Sequence, residues 1–230
     1  NDTLKELLRE IITEEEAKFI VSVFNRKPNM NMAEIKERSD VDEETLEKML
    51  DELQYKGVIA GTMSRSAGIM VYRLQPPFPG LFEFQLMRPG DGPREKKLAR
   101  LFDQLFGEMG EMTSRNYDQL VSQYKSFPPV DRVVPVEKEI EPREEVVLAN
   151  EDVRRIVEEN DDIAVALCYC RHEKDLLDEP CKLDAPRENC LLFGKTAQFC
   201  IDKDFANPIS KEKALGLLKE AEDYGLVHKA

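Results

Sequence analysis

All five cysteines of the 230-residue chain lie between Cys168 and Cys200. An odd number, without a basic leader and apolar run at the N-terminus, argues against a disulfide framework. The segment begins Cys168-Tyr169-Cys170-Arg171-His172, and Cys181, Cys190 and Cys200 follow at intervals of eleven, nine and ten positions. Thiolates at this density repel one another unless a cation neutralises them, and iron–sulfur clusters and zinc are the usual answers. Zinc sites favour Cys-x2-Cys knuckles, a spacing absent here, so iron–sulfur binding is expected first and zinc second.

Cys168, Cys170, Cys181 and Cys190 are the expected ligands. Pro180 and Pro186 favour loops that turn backbone N–H groups toward sulfur, and few regular elements are expected between the cysteines. Cys200 lies in an apolar helical stretch and reads as a small buried hydrophobe, spare to the ligand set. Arg171, together with Lys174 and Lys182, would offset the charge of an anionic cluster and tune its potential. Three readings compete. The thiols could all be free and reduced. A Cys168–Cys170 disulfide would need a strained small ring. A Cys170–His172 catalytic pair would lack a third group to orient it. The only histidines are His172 and His228, and there is no phosphate-binding glycine loop, nucleophile elbow or paired-carboxylate arrangement.

The elements that deliver this segment are legible from hydrophobic spacing. A helix over residues 151–159, capped by Asn150, and the apolar run 163–167 lead directly to Cys168. Ser210 caps a last helix that Gly225 ends, with His228 trailing. Upstream, residues 130–147 suggest short strands or an extended crossover. Residues 94–112 and 116–124 form amphipathic helices, and the Pro/Gly-rich stretch 76–93 is a connector in which residues 81–86 alternate like a strand. At the front, a helical pattern over 3–25 is divided by a Thr13–Glu16 capping box. A loop at 27–29 leads to helices over 32–38 and 43–56, closed by Gly57, and to strands over 58–63 and 69–74. Helix, helix, turn, helix and hairpin make a winged-helix order.

Charge decides how that front unit is read. The chain carries 33 Lys and Arg against 46 Asp and Glu, a net charge of −13. The third helix presents Glu43, Glu44, Glu47, Asp51 and Glu52 against Lys48 and Lys56. A recognition helix in a major groove needs the opposite sign, and Arg65 and Arg73 on the hairpin are a thin substitute. Nucleic acid is therefore disfavoured as a partner, and docking or dimerisation through this unit is expected. No stretch approaches the roughly 20 apolar residues of a membrane span, and a cytoplasmic location is expected.

The run from Ala166 to His172, then Pro180-Cys181 and Cys190-Leu191-Leu192-Phe193-Gly194, resembles a family of 4Fe-4S ferredoxin-type proteins of anaerobic bacteria and archaea. The ending from Ile209 to Ala214 and from Glu222 to His228 shares the resemblance. Such proteins are described with an N-terminal helical or winged-helix region. The likeness implies a [4Fe-4S] cluster and electron transfer, as a subunit or partner of a larger redox enzyme. In that family the segment is followed by a region rich in Cys-x2-Cys-x2-Cys motifs, and no such motif occurs here. Either a member lacks that region, or this is the front part of a longer carrier.

The expected fold class is α+β and predominantly helical: a winged-helix domain at 1–77, a helical connector at 78–129 and a Cys-rich metal-binding domain at 130–230. The expected function is [4Fe-4S] binding in electron transfer without catalysis of its own. The alternatives are a redox- or oxygen-sensing winged-helix regulator and a zinc-stabilised interaction module.

Overall fold

The computed structural model describes residues 1–64, 66–125 and 153–227. The expectations for residues 130–147, for the Asn150 cap, for Arg65 and for His228 lie outside the described residues. Within them the protein is α+β and predominantly helical, with two three-stranded antiparallel sheets.

The front begins with α1 (Asp2–Ile11) and α2 (Glu14–Phe24). Thr13 separates them through a full capping box: its amide donates to Glu16 Oε2 at 2.7 Å, and its hydroxyl accepts from the Glu16 amide at 3.2 Å. β1 (Asn29–Asn31) then leads into α3 (Met32–Arg38), and α4 (Glu43–Tyr55) follows. The hairpin of β2 (Ile59–Met63) and β3 (Met70–Leu74) closes the unit, with sheet order β1-β3-β2. β1 falls where a loop was expected, because three residues are too few to show an alternating pattern.

The stretch expected to alternate like a strand is instead helical. A turn at Pro77–Leu81 runs into α5 (Phe82–Leu86), and the Glu83 carboxylate accepts from the Gly80 amide at its start. The alternation misled because α5 is covered on two sides. Phe82 packs against Phe102, Phe106 and Tyr169, whereas Phe84 packs against Phe199 and Phe205. A helix buried on two faces loses the one-sided stripe by which helices are recognised.

α6 (Pro93–Arg115) and α7 (Tyr117–Tyr124) follow. α6 lays Leu98, Leu101 and Phe102 into the same core as Leu7, Ile35, Leu50 and Ile59 from the front. The remaining elements are α8 (Val153–Glu159), β4 (Ile163–Leu167), α9 (Tyr169–Leu176), β5 (Glu188–Phe193), α10 (Gly194–Asp202), β6 (Ala206–Pro208) and α11 (Lys211–Asp223). β4 is central in the second sheet, ordered β5-β4-β6, which explains its uninterrupted apolar run.

One junction ties these parts together. Lys56, at the C-terminal cap of α4, donates to Glu16 at 2.7 Å, and its carbonyl accepts from Gln85 Nε2 at 2.7 Å. Gly57 follows at φ 68°, and a Cβ there would lie 2.3 Å from the Phe84 Cβ. Both the left-handed turn and the approach to α5 require glycine. Burial alone would raise the Glu16 carboxyl, but its bonds from Lys56 and Thr13 outweigh this and hold it below its ordinary value of 4.5. Its stabilising contribution is therefore present above pH 4.5 and is lost as pH falls through the lower, folded-state value. Lys56→Met is expected to destabilise the fold by about 2 kcal/mol at neutral pH. Urea unfolding of both proteins across the acid range should show that gap shrinking below pH 4.5.

Candidate metal centre

β4 and α9 meet at Cys168. Its amide donates to the Arg187 carbonyl at 2.7 Å, and the residue forms the N-terminal cap of α9. Cys170 lies in the first turn of α9, so the Cys-x-Cys pair is folded back on itself. Cys190 stands on β5 opposite Ala166, two residues before Cys168. The pairing slips just beyond, between Ala166 and Leu167, and leaves Asn189 without a strand partner. Cys181 lies in the segment between α9 and β5. The cysteines are thus carried on helix and strand as well as loop, contrary to the expectation of few regular elements. The short α9 was hidden because it contains a CxC motif and a run of charges rather than an apolar stripe.

Cys168, Cys170 and Cys190 act electrostatically as one group. The Cys168 thiol is lowered to about 5, first because the Cys170 thiol donates to its thiolate; burial opposes this, and the Arg171 guanidinium and amide add to it. Cys170 is pushed far up, first as that donor. Burial pushes Cys190 up to about 12, and the Cys168 charge adds to it. One negative charge is held on this set, and its neighbours resist a second. Cys181 is partly buried in its loop, and Cys170 is exposed. Among the described residues, no three His, Cys, Asp or Glu side chains converge into a group that could hold a metal ion.

Two arginines frame these sulfurs. Arg171 is buried, and its guanidinium donates to the Ala185 carbonyl at 3.0 Å, to the Pro186 carbonyl and to Asn189 Oδ1 at 2.6 Å. It therefore fastens the segment between Cys181 and Cys190 to α9. Pro186 contributes its carbonyl to this clamp, whereas its expected part was in turning N–H groups toward sulfur. Arg187 forms a two-pronged pair with Asp175, at 2.7 and 2.8 Å, and its Nη1 is buried with no hydrogen-bond partner. Arg187 and Asn189 were missed in the sequence, although the polar run Arg187-Glu188-Asn189 directly before Cys190 marked the place.

The other expected neighbours are engaged elsewhere. Lys174 pairs with Asp103 on α6 at 2.9 Å, and Lys182 is exposed. The His172 ring nitrogens face the carbonyl oxygens of Leu86, at the end of α5, and of Gly90 beyond it, each at 2.8 Å. Cys200 is fully buried with Phe199, Phe205, Met87 and Ala60, and burial pushes its thiol up to about 12. It packs as an apolar residue at the back of Cys190.

Thiols are chemically suited to bind a metal group, but as placed in this structure they do not converge on a common point. Sulfurs that resist a second negative charge are relieved by a cation, and Arg187 adds a positive charge close enough to interact electrostatically with Cys181 and Cys168. Comparisons with protein-family models, with curated proteins and with solved structures returned no match.

Because the folded Cys168 value lies below the ordinary 9.0, its stabilisation is complete above pH 9 and is lost as pH falls through about 5. In metal-free protein the ultraviolet thiolate absorbance should rise with a midpoint near pH 5. Cys170→Ala should move that midpoint upward. Arg171→Met should also raise it, and should cost about 3 kcal/mol in urea unfolding as loop carbonyls lose their donor. Arg171→Lys should rescue little, because an ammonium cannot span three acceptors from one planar fork.

Proposed function

We propose that Cys168, Cys170, Cys181 and Cys190 hold a [4Fe-4S] cluster and that the protein transfers electrons as a subunit or partner of a larger redox enzyme. The observation that carries this reading is the coupling of Cys168, Cys170 and Cys190 beside two guanidinium groups, one with a buried unpaired donor. When bound, the cluster would supply one-electron chemistry. The chain's own part is to keep Cys168 ionised, to hold the Cys181–Cys190 segment against α9 through Arg171, and to place positive charge beside the sulfurs. Zinc is the alternative occupant of the same thiols.

The front unit, in this reading a winged helix spanning residues 1–77, serves to dock a protein partner or a second copy. Its α4 carries exposed acids, and Lys48 and Lys56 are paired with Glu44 and Glu16. Those pairings leave little positive charge for a DNA backbone, which weighs against the redox-sensing regulator. Among the described residues no helix is long and apolar enough to cross a membrane.

Iron, acid-labile sulfide and zinc should be measured per chain on protein purified without oxygen, beside a visible spectrum. About four iron and four sulfide, with a broad absorbance bleached by dithionite, are expected. Cys190→Ser should lower both iron and sulfide. About one zinc and no iron would replace the redox reading with a structural module. Neither metal would leave five free thiols.

A further inference from the structure

A cleft of about 540 Å³ opens between the C-terminal ends of α1 and α4, α5 and the start of α6. Its volume is that of an ordinary small-molecule site. The acids on its walls are already matched: Glu10 pairs with Lys97 at 2.7 Å, Glu52 with Lys56 at 3.4 Å and Glu95 with Arg94 at 3.7 Å. The positive side is in excess. Arg9 is exposed and has no ion-pair partner among the described residues.

Arg88 is the more unusual wall. Its guanidinium is sandwiched between the rings of Tyr55 and Phe205, at 3.9 and 3.8 Å. It donates to the carbonyl oxygens of Lys203 and Asp204 and, among the described residues, forms no ion pair with a carboxylate. Burial pushes it below its ordinary value, and the charge of nearby Asp204 opposes this only in part. Tyr55 is 49% exposed, and it lines the cleft together with Phe84. Flat apolar walls thus stand beside guanidinium groups that form no ion pair among the described residues.

We propose that this cleft binds a small organic anion built on a planar ring, with the ring against Tyr55 and Phe84 and the charge on Arg9 and Arg88. Guanidinium groups accept phosphate and carboxylate alike. The site is separate from the cysteines, and the inference does not depend on which metal they hold.

Calorimetric titration of the full chain with ADP and with 1-naphthoate tests it, with adenosine and 1-naphthalenemethanol as uncharged counterparts. At least one anion is expected to bind saturably with a Kd below about 1 mM, and its neutral counterpart about tenfold more weakly. Binding of ADP alone assigns a phosphate, and binding of naphthoate alone a carboxylate. Arg9→Glu, at an exposed and unpaired position, should weaken binding about tenfold, while Arg100→Glu, outside the cleft on α6, should leave it unchanged. The proposal is overturned if neither anion binds, if the neutral compounds bind equally well, or if Arg9→Glu, folded by circular dichroism, binds as the parent does.

Discussion

A thiolate kept partly out of water needs a fixed positive charge, and Arg171 is placed to supply it. Its position on α9, three residues after Cys168, brings its amide and guanidinium to the Cys168 sulfur. The same guanidinium donates to the carbonyls of Ala185 and Pro186 and to Asn189 Oδ1. One planar group therefore does two things that could not be separated by substitution. It stabilises the ionised sulfur, and it determines where the chain runs between Cys181 and Cys190. The slipped pairing of β4 and β5 lies at the same place: Asn189, left out of the strand ladder, accepts from Arg171.

This arrangement depends in turn on α5. A five-residue helix has no stability of its own, so packing must hold it in place. Phe82 inserts toward the front core and touches Tyr169, which lies between Cys168 and Cys170. Phe84 faces the other way, into the aromatic group around Cys200. His172 closes the same region by bonding to the carbonyls of Leu86 and Gly90. The cysteine segment thus rests on the front helices through side chains of one short helix, and Gly57 is the position that lets α4 turn closely enough for this contact.

How much of this could be read in the sequence varied with the kind of signal. Long amphipathic helices and their caps were plain: Thr13 with Glu16, Gly57 after α4, and Ser210 before α11 all stand where their chemistry placed them. The α+β class and its helical bias were plain for the same reason. Short elements were not. α5 reads as alternating because two partners cover it, and β1 is only three residues long. At the site, the cysteine density and Arg171 drew notice through residue type alone. Arg187 and Asn189 did not, because their roles arise from a slip in strand register and an ion pair to Asp175, which no linear spacing encodes.

The electrostatics of the three coupled cysteines carry a final consequence. In water each thiol would ionise on its own, near its ordinary value. Here the first proton leaves Cys168 easily because Cys170 and Arg171 stabilise the resulting charge, and that charge makes the next losses harder. Such a set stores unfavourable interaction only when more than one sulfur is ionised. A bound cation would offset that repulsion by attracting each thiolate, so that more than one sulfur could be ionised at once. The buried Nη1 of Arg187 has no hydrogen-bond partner among the described residues, so its desolvation is not offset by a bond there. The two arginines thus favour ionised sulfur, whereas the proton shared by Cys168 and Cys170 favours a single charge, and a metal bound as proposed would have to displace it.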